Sequence, residues 1–143
     1  MIGRPTKRTP EVVARIIDEL SKGTPLTIIC AADDMPATRT VYDWMDADDE
    51  FSAHIARARE AGHDQIALDA LAIADEVDER DTIVTERGEM PNKEWIMRSK
   101  LRVETRLKLL SKWDPKRYGD RLAIAGDETA PLRINVLPED TGL

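Results

Sequence analysis

The feature that most constrains this 143-residue chain is a run of apolar residues at helical spacing between Asp49 and Val77. Phe51, Ile55, Ala58, Gly62, Ile66, Ala70, Ile73 and Val77 recur in steps of three and four, which lines them along one stripe of an α-helix. Asp48, Asp49 and Glu50 precede the run and suit a helix start, where unpaired amides and the macrodipole favour acid. A second set, Ala61, Leu68, Leu71 and Ala72, lies off the stripe. An apolar surface wider than one stripe requires more than one neighbour. In a chain this short, some of those neighbours are expected from other copies.

Upstream, the pattern breaks into three short helices. Thr9-Pro10-Glu11 is a helix start, with a hydroxyl cap, proline at the first helical position and an acid in the first turn. Val12, Val13, Ile16, Ile17 and Leu20 follow at helical spacing, and Gly23 suits the C-terminal cap. A second helix is predicted over 25–32. Asp33 to Pro36 form a turn, because proline disfavours helix in the residue before it. A third helix is predicted over 38–46, with Val41, Trp44 and Met45 on its inner face. Short helices joined by a tight turn make the helix-turn-helix pattern.

Downstream, Glu79 to Pro91 reads as a loop or a small hairpin, with β-prone Thr82-Ile83-Val84-Thr85 and a turn at Arg87-Gly88. A last helix is predicted over 92–113, antiparallel to the first long one, with Ile96, Val103, Leu107 and Leu110 on one face and Asp114-Pro115 as its stop. Lys116, Arg117 and Tyr118 follow that stop and read as a structural turn. Leu132 to Val136 alternates with period two, the signature of a strand, without an obvious partner in the chain. An isolated strand is unstable, so its expected partners are equivalent strands of other copies. The chain thus divides into 1–48, 49–117 and 118–143.

Charge is unevenly placed. The net charge is −7, yet residues 1–22 hold five basic and three acidic groups, and residues 100–122 hold eight and three. Residues 33–80 hold four basic and fourteen acidic groups. Nucleic acid is therefore not excluded by the global sign. The single cysteine, Cys30, sits in an apolar stretch and is expected to be a core thiol, which leaves no disulfide framework. No signal-like or bilayer-spanning run is present, so a cytosolic setting is expected.

Catalysis finds no support in the sequence. No glycine-rich phosphate loop followed by lysine and serine or threonine occurs. His54 and His63 are nine residues apart, unlike a metal pair on one helical face, and Asp46 to Glu50 read as capping acids. No catalytic residue, metal ligand or cofactor is expected.

Four stretches in order carry a resemblance to the small terminase subunits of tailed phages. They are Gly3-Arg4-Pro5; Met35-Pro36 with Thr40 to Met45; Lys100 to Arg106; and Asp114 to Asp120. The resemblance spans roughly residues 3–122 and implies a non-enzymatic DNA-packaging protein. Members of that family recognise concatemeric viral DNA, form rings of roughly eight or more subunits, and present DNA to a large ATPase-nuclease subunit in the host cytoplasm. The resemblance further implies a mainly α fold: an N-terminal helix-turn-helix, long antiparallel oligomerisation helices, and a short C-terminal strand completing an intersubunit barrel. The alternative is a dimeric helix-turn-helix transcriptional regulator reading half-sites about one helical turn apart. A pure helical scaffold is a third possibility.

The DNA-binding candidates are Arg4, Lys7 and Arg8 in a basic arm, and Thr38, Arg39, Thr40 and Tyr42 on the third helix. Arm cations suit phosphates or a minor groove. Arg39 suits guanine, whose O6 and N7 accept two hydrogen bonds. Thr38 reads equally well as a helix cap. Asp43 and Asp46 make the third helix acidic, which shifts the expected weight of affinity to the arm. Arg102, Arg106 and Lys112 suit lining a channel, binding DNA or pairing with acids of residues 43–80 across subunits, the last being the expected role.

Overall fold

In the computed structural model, residues 7–120, 126, 128–131 and 133 are described. The sequence forms α1 (Pro10–Ser21), α2 (Leu26–Ile29), α3 (Thr38–Ala47) and the long α4 (Asp49–Asp75). A 3-10 turn (Glu79–Asp81), β1 (Thr82–Thr85) and β2 (Gly88–Pro91) lead to α5 (Lys93–Trp113) and the short α6 (Pro115–Tyr118). The fold is mainly helical. The predicted strand at Leu132 to Val136, apart from Arg133, and Arg4 of the arm lie outside the described residues.

Local signals set the helix ends. Thr9 caps α1 by accepting the Val12 N–H at 3.3 Å, and Asp48 caps α4 by accepting the Phe51 N–H at 3.0 Å. At the end of α1, Gly23 takes a φ of +95°. Its N–H reaches the Leu20 carbonyl, and the Thr24 N–H reaches Glu19, each at 3.0 Å. These two bonds form the paired C-terminal closure that a left-handed residue permits. The second helix is shorter than the sequence predicts, a single turn from Leu26 to Ile29. The chain past it closes in 3-10-like bonds, such as Met35 N–H to the Ala32 carbonyl at 3.1 Å.

One core joins the four N-terminal helices. Ile16 and Leu20 of α1, Leu26 and Ile29 of α2, Cys30, Met35, Val41 of α3, and Phe51, Ile55 and Ala58 of α4 are all buried in it. The first three turns of α4 therefore complete the head, and the rest of α4 continues as a stalk. Each buried Leu, Ile or Phe contributes about 1.5–3 kcal/mol of transfer free energy, so this cluster dominates head stability. Arg15 reaches Asp34 at 2.5 Å and ties α1 to the turn before α3.

In the stalk, α4 and α5 pack together, connected by the β1–β2 hairpin. Its antiparallel register pairs Thr82 with Pro91 and Thr85 with Gly88, and Gly88 takes a φ of +103°. The predicted turn at Arg87-Gly88 closes the hairpin. At its base, the Arg80 guanidinium stacks 4.1 Å over the Trp95 ring and pairs with Asp78 at 2.6 Å. That pairing holds the Asp78 carboxyl down at about 2, with the Arg80 hydrogen bond as the main cause.

The inward stripe of α5 differs from the predicted face. Trp95, Ser99, Val103, Arg106 and Leu110 line its less exposed side, and of α5 only Leu110 is fully buried. Ile96 and Leu107 flank that stripe and remain exposed. Two polar residues sit on the inner stripe, so counting apolar residues rotated the face toward its flank. On α4, the predicted stripe turns inward from Phe51 to Ile73, whereas Val77 lies past the helix end and is 93% exposed.

Candidate nucleic-acid interface

Two elements were candidates for contacting DNA, and the structure separates them. Lys7 is exposed before α1. Arg8 is held in place: its guanidinium pairs with Asp48 at 2.6 Å and lies 4.8 Å over the Phe51 ring. It therefore docks where α3 ends and α4 begins. Asp48 does double service there. The Phe51 backbone N–H chiefly, then Arg8, hold its carboxyl below the ordinary carboxylate range.

Arg39 stands at the opposite end of α3, roughly 13 Å of helix from Asp48. Its side chain is 87% exposed, and its Nε donates to the Asp43 carboxylate at 3.2 Å, one turn on. Thr38 and Thr40 are half-buried. Thr38 is not the cap: Ala37 occupies that position without a side-chain hydrogen bond, and the first turn holds no acid. The leading amides of α3 thus lack a carboxylate or hydroxyl from the cap, an arrangement compatible with an anion.

Tyr42 turns toward α4. Its hydroxyl accepts a hydrogen bond from Arg59 at 3.3 Å, and the Arg59 guanidinium lies 5.8 Å over the ring. Tyr42 and Arg59 form one wall of a cleft of about 320 Å³ between head and stalk, with Gly23, Ile66, His63 and Trp113 among its other walls. Sequence reasoning missed Arg59 because it treated α4 as an apolar stripe. The available signal was a cation next to Ala58 and three residues before Gly62.

His63 marks the joint between the stalk helices. Its Nδ1 lies 3.2 Å from the Asp114 carboxylate, with the two side chains only 18% and 13% exposed. Its ring is tilted against Trp113 at 6.4 Å. Next to it, Arg117 pairs with Asp64 and Asp114, and the Tyr118 hydroxyl donates to Asp64 at 2.5 Å. The Tyr118 hydrogen bond chiefly, then the Arg117 charge, hold Asp64 below its ordinary value, while the same carboxylate raises Tyr118. The predicted turn after Asp114-Pro115 is therefore a clamp that fastens the end of α5 to the middle of α4.

Cations in the head carry intramolecular acids: Arg8 with Asp48, Arg15 with Asp34, Lys22 with Asp18, and Arg39 with Asp43. On α5, Lys93, Arg102, Lys108 and Lys112 form no ion pair among the described residues. Large apolar groups are exposed on both stalk helices, Leu68 and Leu71 on α4 and Met97 and Leu101 on α5. Among the described residues no group of three metal-ligating side chains converges, and no helix is long and apolar enough to cross a membrane.

This mainly helical fold matches that of a terminase small subunit. Similar to it are three crystal structures of the terminase small subunit gp1 of the bacterial virus Sf6, each a single-substitution variant. They are 29% identical to this chain with a TM-score of 0.57. One match covers 93% of this chain and 100% of the other, and two cover 94% and 95%. The chain belongs to the family described as bacteriophage Sf6, terminase small subunit-like, which matches residues 8–125. No curated protein matches the sequence.

Proposed function

We propose that this chain is the DNA-recognising subunit of a viral packaging terminase. It binds duplex viral DNA through its head, assembles into a ring of roughly eight or more copies, and recruits and regulates the large ATPase-nuclease subunit. It acts in the host cytoplasm and performs no catalysis of its own. Residues 1–48 form the helix-turn-helix DNA-binding unit, with α3 as the groove helix and the first turns of α4 completing its core. Residues 49–117 are the oligomerisation unit. Residues 118–143 supply the strand that completes an intersubunit barrel. Arg4, Lys7, Arg8, Thr38, Arg39, Thr40 and Tyr42 contact the DNA, the arm chiefly through phosphates.

The observation that carries this reading beyond family membership is the outer surface of the stalk. Leu68 and Leu71 stand exposed on an α4 face with Asp64 and Asp75, while Met97 and Leu101 stand exposed on an α5 face beside Arg98, Lys100 and Glu104. The two faces are unlike, the first apolar with acids and the second apolar with charges of both signs. Two unlike faces that complement each other give head-to-tail contacts, which close into rings when the rotation permits. Weak DNA contacts are then multiplied by their effective concentration within the ring.

The native mass of the purified chain at low and moderate salt tests this. A single species of roughly eight or more subunits supports the ring. A clean dimer overturns it and moves the helix-turn-helix regulator to first place, where palindromic half-sites would then be sought.

A further inference from the structure

Asp43 and Asp46 both oppose a DNA-binding role of the exposed α3 face by charge, and the structure shows what Asp43 holds. Its carboxylate accepts from the Nε of Arg39 at 3.2 Å, and among the described residues no other hydrogen bond engages the Arg39 side chain. Both side chains are exposed, at 87% and 59%. The two terminal nitrogens of the guanidinium therefore stay available. Those are the atoms that pair with O6 and N7 of guanine in the major groove. Because the pair spans one helical turn on the exposed side of α3, the carboxylate also fixes the direction in which the guanidinium extends.

We infer that Asp43 is a specificity-determining residue, which aims Arg39 at a base edge and weakens its hold on phosphate. The carboxylate acts differently at the two places a guanidinium can bind. Beside a phosphate it adds like-charge repulsion and competes for the same cation. At the groove floor it accepts from the cytosine amino group, so an adjacent G·C pair satisfies both members of the couple. Contacts to phosphate carry no sequence information, whereas contacts to base edges do. An acid placed here thus lowers sequence-independent affinity more than sequence-dependent affinity. The other head cations fit the same scheme, since Arg8, Arg15 and Lys22 also carry acids. This inference rests on the DNA-binding reading of the head.

The test uses the full chain with two duplexes of equal length, one built only of G·C pairs and one only of A·T pairs, titrated over a range of salt. The wild-type chain binds both and favours G·C. Asp43→Asn tightens binding to both by about two- to fivefold, the worth of an exposed ion pair. It also narrows the preference and steepens the salt dependence by about one phosphate contact. Arg39→Ala removes the preference. Glu94→Gln, which frees Arg98 by the same spacing on α5, serves as the control and leaves binding to both duplexes unchanged. Asp43 is exposed and its replacement buries nothing, so the variant keeps the fold. A wild type that binds, with an Asp43→Asn variant unchanged in affinity, preference and salt slope, overturns the inference alone. A wild type that binds neither duplex overturns the DNA-binding reading, and this inference with it.

Discussion

Gly62 of α4 lies against the carbonyl oxygen of Leu20, so close that a Cβ at Gly62 would fall far inside van der Waals contact with that oxygen. The same Cβ would stand 3.2 Å from the Gly23 Cα, while a Cβ at Gly23 would meet Ile66 Cγ1 at 2.9 Å. The end of α1 thus seats on α4 through two glycines. Gly62→Ala is expected to destabilise the head by about 1–3 kcal/mol, since neither neighbouring backbone can yield cheaply. An ordinary mid-helix Gly→Ala stabilises by about 1 kcal/mol, so the sign alone discriminates. Thermal unfolding is expected to show a fall of several degrees, and a rise would disprove the close approach.

Asp48 joins two roles that a conservative change separates. Asn caps a helix about as well as Asp but cannot pair with Arg8 as a charge. The folded carboxyl lies below its ordinary value of 3.8, so its contribution is complete above that value and is lost as pH falls through the lower folded value. Asp48→Asn is therefore expected to flatten the acid limb of the stability profile by lowering stability at neutral pH while changing it little in acid. An unaltered acid limb would show that Asp48 is not coupled to folding.

Much of this fold was legible because its helices carry strong local signals. Thr9, Gly23, Asp48 and Asn92 mark ends that the structure places within one or two residues. The sequence does not distinguish the hairpin from a loop, because its strands are four residues each and, among the described residues, pair with one another alone. The α5 face was misjudged because Ser99 and Arg106 lie on the inner side, where pattern counting looks only for apolar residues. The clamp at Asp114 to Tyr118 was anticipated as a turn but its partners were not. Asp64 and His63 stand some fifty positions earlier, and nothing local announces a pairing across that separation.

The clamp predicts behaviour at the alkaline end. Tyr118 is raised above its ordinary value of 10.0, chiefly by its hydrogen bond to Asp64, so the folded chain retains that proton. Its contribution is complete below the ordinary value and is lost as pH rises through the higher folded value. An ultraviolet titration is expected to show Tyr118 losing its proton above the ordinary value of 10.0, and Asp64→Asn is expected to bring it back toward that value. A wild-type titration that Asp64→Asn leaves unchanged would count against the clamp.

The outer stalk faces can be probed on either helix. Leu71→Glu and Leu101→Lys each place a charge in an exposed apolar face, and each is expected to dissolve the proposed ring into smaller species. Both residues are already more than half exposed in the single chain, so helicity by circular dichroism should hold. A native mass unaffected by both changes would place the intersubunit contacts elsewhere.

The arm divides into a cation that is tied down and one that is not. Lys7 is exposed, whereas Arg8 is held by Asp48 and the Phe51 ring, so the two should respond differently to charge reversal. Lys7→Glu is expected to weaken DNA binding alike for all sequences and to reduce the salt slope by about one contact, with unfolding unchanged. Arg8→Glu faces Asp48 with a like charge, so it should lower stability as well as binding, and more so above the acid range where both carboxyls are ionised. Reversing Arg4 together with Lys7 and Arg8 should give the largest loss, still without sequence preference, because phosphate contacts are blind to the base pair. Should the triple variant bind as the wild type does, the arm takes no part. Affinity would then fall to α3 and to the unpaired cations of α5.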